Sequence, residues 1–265
     1  MYNVREWNRF LIPYEQAVEE LKIKFKALRN GYREVGEYSP IEFVTGRVKK
    51  VSSILAKSKK LGIAYEDIQA QMEDIAGIRI MCQLIDDIYD VVDFIHERDG
   101  KDFSVLYVKD YIKHPKESGY RSYHMVIKYP VHTAFGYQEI LAEIQIRTLA
   151  MNFWAIIEHS LNYKYQRKIP APIRQRLEQA AISVWNLDAE MLAIKEEIAS
   201  AQVLFEVNSD VVQSITTQIQ LMNAWGLTEE AASFQKRLDD ILDLTTSAVL
   251  EELLDDMNTY LEEIS

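Results

Sequence analysis

Cysteine is nearly absent from this chain: Cys82 stands alone among 265 residues. A single thiol can build neither an internal disulfide framework nor a thiolate metal site within one chain, and a reducing compartment suits it. Long apolar runs are missing too. No stretch reaches the roughly 18 consecutive apolar residues of a membrane-spanning helix. The opening MYNVREWNRFLIPYEQ has none of the basic start, apolar middle and small-residue cleavage site of a secretion signal. These absences predict a cytoplasmic protein with no membrane association. Internal repeats and low-complexity tracts are lacking as well. What remains is an ordinary globular composition, 48% hydrophobic and 27% charged, in a length that holds one substantial domain and an appendage.

The net charge of −11 is unevenly placed. Residues 206–265 hold 13 acidic side chains against Lys236 and Arg237, whereas residues 1–205 carry 28 of each sign. The body is therefore neutral and free to gather cations at one site, and the tail is a separate acidic unit. We expect one domain over residues 1–205 and an acidic helical extension over 206–265.

Helical spacing runs through much of the chain. Between Trp7 and Arg33, an apolar stripe from Phe10 through Tyr14, Leu21 and Phe25 to Leu28 is accompanied by Lys22, Lys26 and Arg29 on another face. A second helix is predicted over 48–61. Its outer side gathers Lys50, Ser53, Lys57 and Lys60, with Arg47 and Lys49 at its start. Like charges at these spacings repel, and a polyphosphate would relieve them; a solubilising face is the plainer alternative. Further helices are expected over 86–97, 149–165, 173–205, 211–224, 229–244 and 247–264. The apolar stripe of the last, which includes Leu250, Leu253 and Met257, points to packing on its own chain. Strands are expected near residues 78, 104, 123 and 143. Together these elements give an α/β chain of the α+β kind: a mixed sheet flanked by helices, a helical N-terminus and a helical C-terminal extension.

The most informative strand is Ile140–Arg147. Glu143, Gln145 and Arg147 alternate with Ala142, Ile144 and Ile146, which puts a carboxylate, an amide and a guanidinium on one face and apolar residues on the other. Three long polar side chains in register need a ligand, a metal or a partner to satisfy them. Asp74 precedes the strand that carries Arg79, and the loop KHPKESG at 113–119 leads into Tyr120-Arg121-Ser122-Tyr123-His124, placing an aromatic ring and donors at a strand mouth. Two converging carboxylates can hold Mg²⁺, the metal can bridge phosphate oxygens, and cations can absorb the charge of a breaking phosphoryl bond. Alone, Asp74 reads as a turn residue and Glu143 as a salt-bridge partner; the set together carries the functional reading.

The segments SPIEFVTGRVKKVSSIL, DIAGIRIMC, HPKESGYRSYH and EIQIRTLAMNFWAIIEHSLNYKY resemble the small alarmone synthetases, short relatives of the RelA/SpoT synthetase domain, over roughly residues 5–200. The resemblance implies a nucleotidyltransferase-like fold and a Mg²⁺-dependent transfer of pyrophosphate from ATP to the 3′-hydroxyl of GDP or GTP, giving (p)ppGpp and AMP. It further implies that Arg47 and Arg79 sandwich the adenine and that Lys49, Ser53, Lys57 and Lys60 hold the ATP phosphates. Asp74 and Glu143 would bind the metal, Glu143 also activating the acceptor hydroxyl. Tyr120 would stack on guanine, with Lys109, His124, Gln145 and Asn152 lining the acceptor site. Glu158 is a further candidate. A homotetramer with an alarmone effector in a central cleft would draw on Lys22, Lys26, Arg29, Phe43 and Thr45.

Two departures matter. No His-Asp dipeptide occurs, which the hydrolase half of the long bifunctional relatives requires, so synthesis without hydrolysis is expected. The acidic tail has no counterpart in the short relatives. Alternative readings are pyrophosphate transfer to an adenine nucleotide or to the tRNA 3′ end, and a non-catalytic module that binds nucleotides or RNA; RNA is compatible with the cationic surface but not required.

Overall fold

A computed structural model describes residues 4–165, 169–241 and 247–263. The chain forms two compact units, residues 1–192 and 193–265.

The first unit opens with helix α1 (Val4–Glu34), whose apolar stripe is buried at Tyr14, Ala17, Val18, Leu21 and Phe25. Strand β1 (Phe43–Val48) follows, then α2 (Val51–Leu61) and a single 3-10 turn (Tyr65–Asp67) that runs into the short α3 (Ile68–Gln71). Next come β2 (Ala76–Cys82), α4 (Ile85–Glu97), β3 (Ser104–Asp110), β4 (Tyr123–Thr133), β5 (Gly136–Thr148) and α5 (Leu149–Lys164). The five strands form one mixed sheet in the order β1-β2-β5-β4-β3. Only the β2–β5 pair is parallel; the other three are antiparallel. Central β5 places Ile140, Ala142, Ile144 and Ile146 in the core, at 0–1% exposure. This is the apolar half of the alternation seen in the sequence.

Strand β1 and the short helical turns over 65–71 are additions to the sequence reading, which began a helix at Val48. The helix starts at Val51, so Arg47 sits on an edge strand and Lys49 in the joint, where its N–H bonds to Ile75 O at 2.8 Å. The reason is tertiary. Helix α1 lies so close over β1 that a side chain at Gly46 would come within 2.7 Å of Val18 Cγ1 and 2.9 Å of Lys22 Cδ. A six-residue edge strand with a glycine at its centre carries little alternation of its own, and contact with α1 makes it a strand.

Helix α6 (Ala171–Ala224) is continuous where the sequence reading placed two helices. The polar cluster Asn208-Ser209-Asp210 falls between those two helices, but each of these residues costs a helix only a few tenths of a kcal/mol and none is a glycine or proline. In the second unit, Ile215, Ile219 and Met222 of α6 pack with Ala231 and Leu238 of α7 (Thr228–Ile241) and with Leu250, Leu253 and Met257 of α8 (Ser247–Glu263). The stripe of the last helix is thus covered by its own chain. The predicted ends of these two helices at Leu244 and Ile264 lie outside the described residues.

Buried Asp188 on α6 accepts a 2.6 Å hydrogen bond from Thr148 Oγ1, which itself accepts from Met151 N–H at 3.0 Å and so caps the start of α5. Burial pushes the Asp188 carboxyl up to about 6, against the pull of the Thr148 hydroxyl. The native state therefore keeps a proton that the unfolded chain releases nearer 3.8, and stability falls as pH rises between those values. Asp188→Asn, which keeps a hydrogen-bonding side chain without the ionisation, is expected to remove this slope. Its Tm should exceed the parent's by a few degrees at neutral pH and match it at about pH 4, as thermal unfolding across pH would show.

Candidate active site

The polar face of the sheet is organised by register. Thr45 pairs with Arg79, Arg79 with Gln145, Gln145 with His124 and His124 with Lys109, so one row of polar side chains crosses all five strands. The adjacent row runs Arg47, Gly77, Glu143. Gly77 leaves the floor low between two long charged side chains, since a Cβ there would meet nothing nearer than Arg47 O at 3.8 Å.

Above these rows lies a cleft of about 630 Å³ lined by Arg47, Asp74, Arg79, Tyr120, His124, Glu143, Gln145 and Arg147, together with Lys116, Ser118, Glu158 and His159. A recess of about 230 Å³ adds Thr45 at the β1 end. A further hollow of about 370 Å³ shares Ser118, Glu158 and His159 and reaches Arg174 and Glu178.

Asp74 sits between two ammonium groups, Lys49 Nζ at 2.8 Å and Lys57 Nζ at 2.9 Å. Burial opposes its ionisation, but the two lysines outweigh it and hold the carboxyl below its ordinary value. Glu143 accepts from His124 Nδ1 and from Gln145 Nε2, each at 2.8 Å. Burial again pushes upward, and the His124 contact, the Gln145 amide and the charge of Lys57 more than reverse it, to about 2. Both carboxylates are therefore anions at neutral pH. Arg79 donates to Gln145 Oε1 at 3.3 Å, its basicity lowered by burial and by the neighbouring Arg147 and Arg47 charges. An incoming anion relieves that repulsion.

The structure thus gathers Arg47, Asp74, Arg79, Tyr120, His124, Glu143 and Gln145 on one cleft, with Lys49 and Lys57 reaching it through Asp74. Ser53 and Lys60 are exposed on α2 and do not line it. Lys109 is exposed at the outer end of the cross-strand row, its ammonium 4.8 Å from the Tyr107 ring centroid. Asn152 is half-buried, and its Oδ1 is buried without a partner among the described residues. On α1, Lys22 pairs with Glu19 at 2.8 Å, Lys26 is exposed, and Arg29 donates to Glu42 O at 3.3 Å beside the edge strand that carries exposed Phe43 and Thr45.

Lys116 was not singled out in the sequence, yet its ammonium stands 4.8 Å from the Tyr120 ring centroid and 4.6 Å from that of Tyr111. A lysine in a polar loop carries no local sign that it folds back onto two rings. Among the described residues no group of three or more His, Cys, Asp or Glu is placed to hold a metal. The donor set is two carboxylates on one cleft, which suits a hard divalent cation whose remaining ligands are phosphate oxygens and water. Cations, two ionised carboxylates and an aromatic ring on one floor are the equipment for binding a nucleotide polyphosphate and accepting a proton from an alcohol.

Comparison with known proteins agrees. Residues 46–168 match the family described as a region found in RelA / SpoT proteins. Over 201 residues the chain is 54% identical to the GTP pyrophosphokinase YjbM of Bacillus subtilis, covering 76% of this chain and 94% of that one. It is 38% identical to the GTP pyrophosphokinase YwaC of the same organism, covering 74% and 93%. The fold is similar to that of the small alarmone synthetase 1 from Bacillus subtilis bound to its product pppGpp, with TM-score 0.70, 54% identity and coverage of 73% and 98%. A GTP pyrophosphokinase family protein from Streptococcus pneumoniae gives TM-score 0.71, 53% identity and coverage of 77% and 98%.

Proposed function

The chain belongs to the RelA/SpoT synthetase family, among its small alarmone synthetases, and from that premise and the chemistry of the cleft we infer that it is a GTP pyrophosphokinase. It transfers the β,γ-pyrophosphoryl group of ATP to the 3′-hydroxyl of GDP or GTP. The 3′ oxygen forms a bond to the β-phosphorus, the bond from that phosphorus to the α,β-bridging oxygen breaks, and AMP leaves with the bridging oxygen. The observation that carries this reading is the convergence of ionised Asp74 and Glu143 with Arg79 and Tyr120 on a single cleft.

In our assignment Glu143 takes the proton of the 3′-hydroxyl; it is anionic, half-buried and already oriented by two donors. Arg47 and Arg79 offer planar guanidiniums to the adenine, while Lys49, Ser53, Lys57 and Lys60 attend the ATP phosphates. Tyr120 stacks on guanine, with Lys109, His124, Gln145 and Asn152 about the acceptor. Asp74 and Glu143 would hold Mg²⁺, which supplies charge neutralisation to the phosphoryl oxygens when bound. Residues 1–205 form the synthetase domain and 206–265 an acidic helical extension. We further propose a cytoplasmic homotetramer whose effector site draws on Lys22, Lys26, Arg29, Phe43 and Thr45, and synthesis without hydrolysis. No helix among the described residues is long and apolar enough to cross a membrane.

The decisive assay incubates the protein with ATP and Mg²⁺ and with GDP, GTP, AMP or tRNA in turn, resolving products by chromatography. Release of AMP with formation of ppGpp or pppGpp is expected; AMP release with tRNA and none with GDP or GTP would overturn the reading. The loop before Tyr120 offers a second check. Gly119 has φ +83°, and a Cβ there would lie 2.5 Å from Ala181 Cβ on α6. Gly119→Ala is expected to destabilise by about 1–3 kcal/mol and, by displacing Tyr120, to raise the acceptor KM while leaving that for ATP near the parent value.

A further inference from the structure

Five side chains close a ring of hydrogen bonds around the reacting carboxylate. Arg147 Nη2 donates to Tyr120 OH at 2.9 Å, and Tyr120 OH lies 2.8 Å from His124 Nε2. His124 Nδ1 meets Glu143 Oε1 at 2.8 Å. On the other side, Arg147 Nη2 donates to Gln145 Oε1 at 2.6 Å, and Gln145 Nε2 donates to Glu143 Oε2 at 2.8 Å. Two arms thus leave one nitrogen of Arg147 and converge on the two oxygens of Glu143.

The direction of each bond to Glu143 follows from its ends. A guanidinium only donates and a carboxylate only accepts. In the neutral imidazole the Tyr120 hydroxyl, receiving from Arg147, gives its own hydrogen to His124 Nε2; in the imidazolium it accepts from both, and in either form Nδ1 presents its hydrogen to Glu143. The Gln145 amide, receiving at its oxygen, can turn only its NH₂ toward Glu143. Both arms bring a donor to Glu143, and hydrogen bonds linked in this way reinforce one another. Arg147 is 3% exposed and its Nε is buried without a hydrogen-bond partner among the described residues, so its charge needs an answer nearby. Here the answer is an anion reached through two bridging side chains.

We propose that Arg147 is the positioning residue of this site: through Tyr120–His124 and through Gln145 it holds the Glu143 carboxylate and the Tyr120 ring in one fixed relation, so that the acceptor stacked on the ring meets the base that takes its proton. This rests on the reading of Glu143 as the activator of the acceptor hydroxyl and extends it to a residue that touches neither reacting atom. The Tyr120 hydroxyl gains a role separate from that of its ring.

The test uses the full chain. Tyr120→Phe keeps the ring and cuts one arm; Arg147→Met removes the origin of both. Each is expected to lower kcat by roughly 10–100-fold, with KM for ATP unchanged and, in Tyr120→Phe, KM for GTP also near the parent value. The double variant should be no slower than Arg147→Met alone, since both act through one network. ¹⁵N-histidine spectra without nucleotide, assigned by difference against His124→Gln, should show hydrogen on Nδ1 of His124, with the Nε2 resonance moved in Tyr120→Phe. Parent-like kcat in Tyr120→Phe, additive losses in the double variant, or an Nδ1 without hydrogen in the parent would each overturn the proposal. Should Arg147→Met not fold, Tyr120→Phe and the spectra still decide. Should the parent transfer no pyrophosphate, the functional reading falls while the spectra still judge the ring.

Discussion

Glu143→Gln is expected to reduce kcat by roughly 10³-fold or more while nucleotide binding persists. The substitution keeps the volume of the side chain and its place on β5, where Ala142 and Ile144 on either side are fully buried, so the sheet has no reason to rearrange. What disappears is the anion. A neutral amide cannot take the proton of a 3′-hydroxyl, and general bases contribute on the order of 10²–10⁴-fold; the loss of a metal-binding carboxylate adds to that. The amide also turns a donor toward one of its two present donors, Gln145 Nε2 or His124 Nδ1, where the parent has only acceptors. AMP release with GTP as acceptor gives the rate, and calorimetric titration with a non-hydrolysable ATP analogue gives the binding. Turnover near the parent rate would remove Glu143 from the chemistry.

Asp74→Asn should show the second-largest effect, with a different signature. Asp74 bridges Lys49 and Lys57, so neutralising it deletes a proposed metal ligand and frees two positive charges at once. We expect turnover to fall on the order of 10²-fold and the Mg²⁺ concentration for half-maximal rate to rise at least about tenfold. Binding of ATP without metal should hold or tighten, because the two ammonium groups no longer have an internal anion. In the parent, chelation of Mg²⁺ should stop turnover and leave ATP binding measurable. Equal Mg²⁺ dependence in parent and variant would place the metal elsewhere.

These two carboxylates were visible in the sequence for different reasons. Glu143 stood out because period-two alternation around it is strong and local, so its face could be read from seven consecutive residues. Asp74 stood out only beside the strand that follows it and through the family motif, since a lone acid before a strand has many ordinary explanations. The longer helices of both units were legible from apolar spacing, apart from the gap set between 205 and 211, which α6 spans, whereas the short turns over 65–71 were not. β1 was not legible: Gly46 interrupts its pattern, and the contact that makes it a strand is with Val18 and Lys22, far away in sequence.

By itself the sequence determined which side chains β5 presents on its polar face, the family, the separate acidic character of residues 206–265, and the chemistry available to the chain. These are properties of local period, motif and composition, which need no partner to be defined. Only the tertiary structure decided that Thr45, Arg79, Gln145, His124 and Lys109 fall in one row, that Lys116 folds over Tyr120, and that Arg147 closes a ring onto Glu143. Strand order, cross-strand register and the return of a loop onto a sheet are settled by packing between residues distant in the chain, and no local pattern encodes which strand will lie beside which.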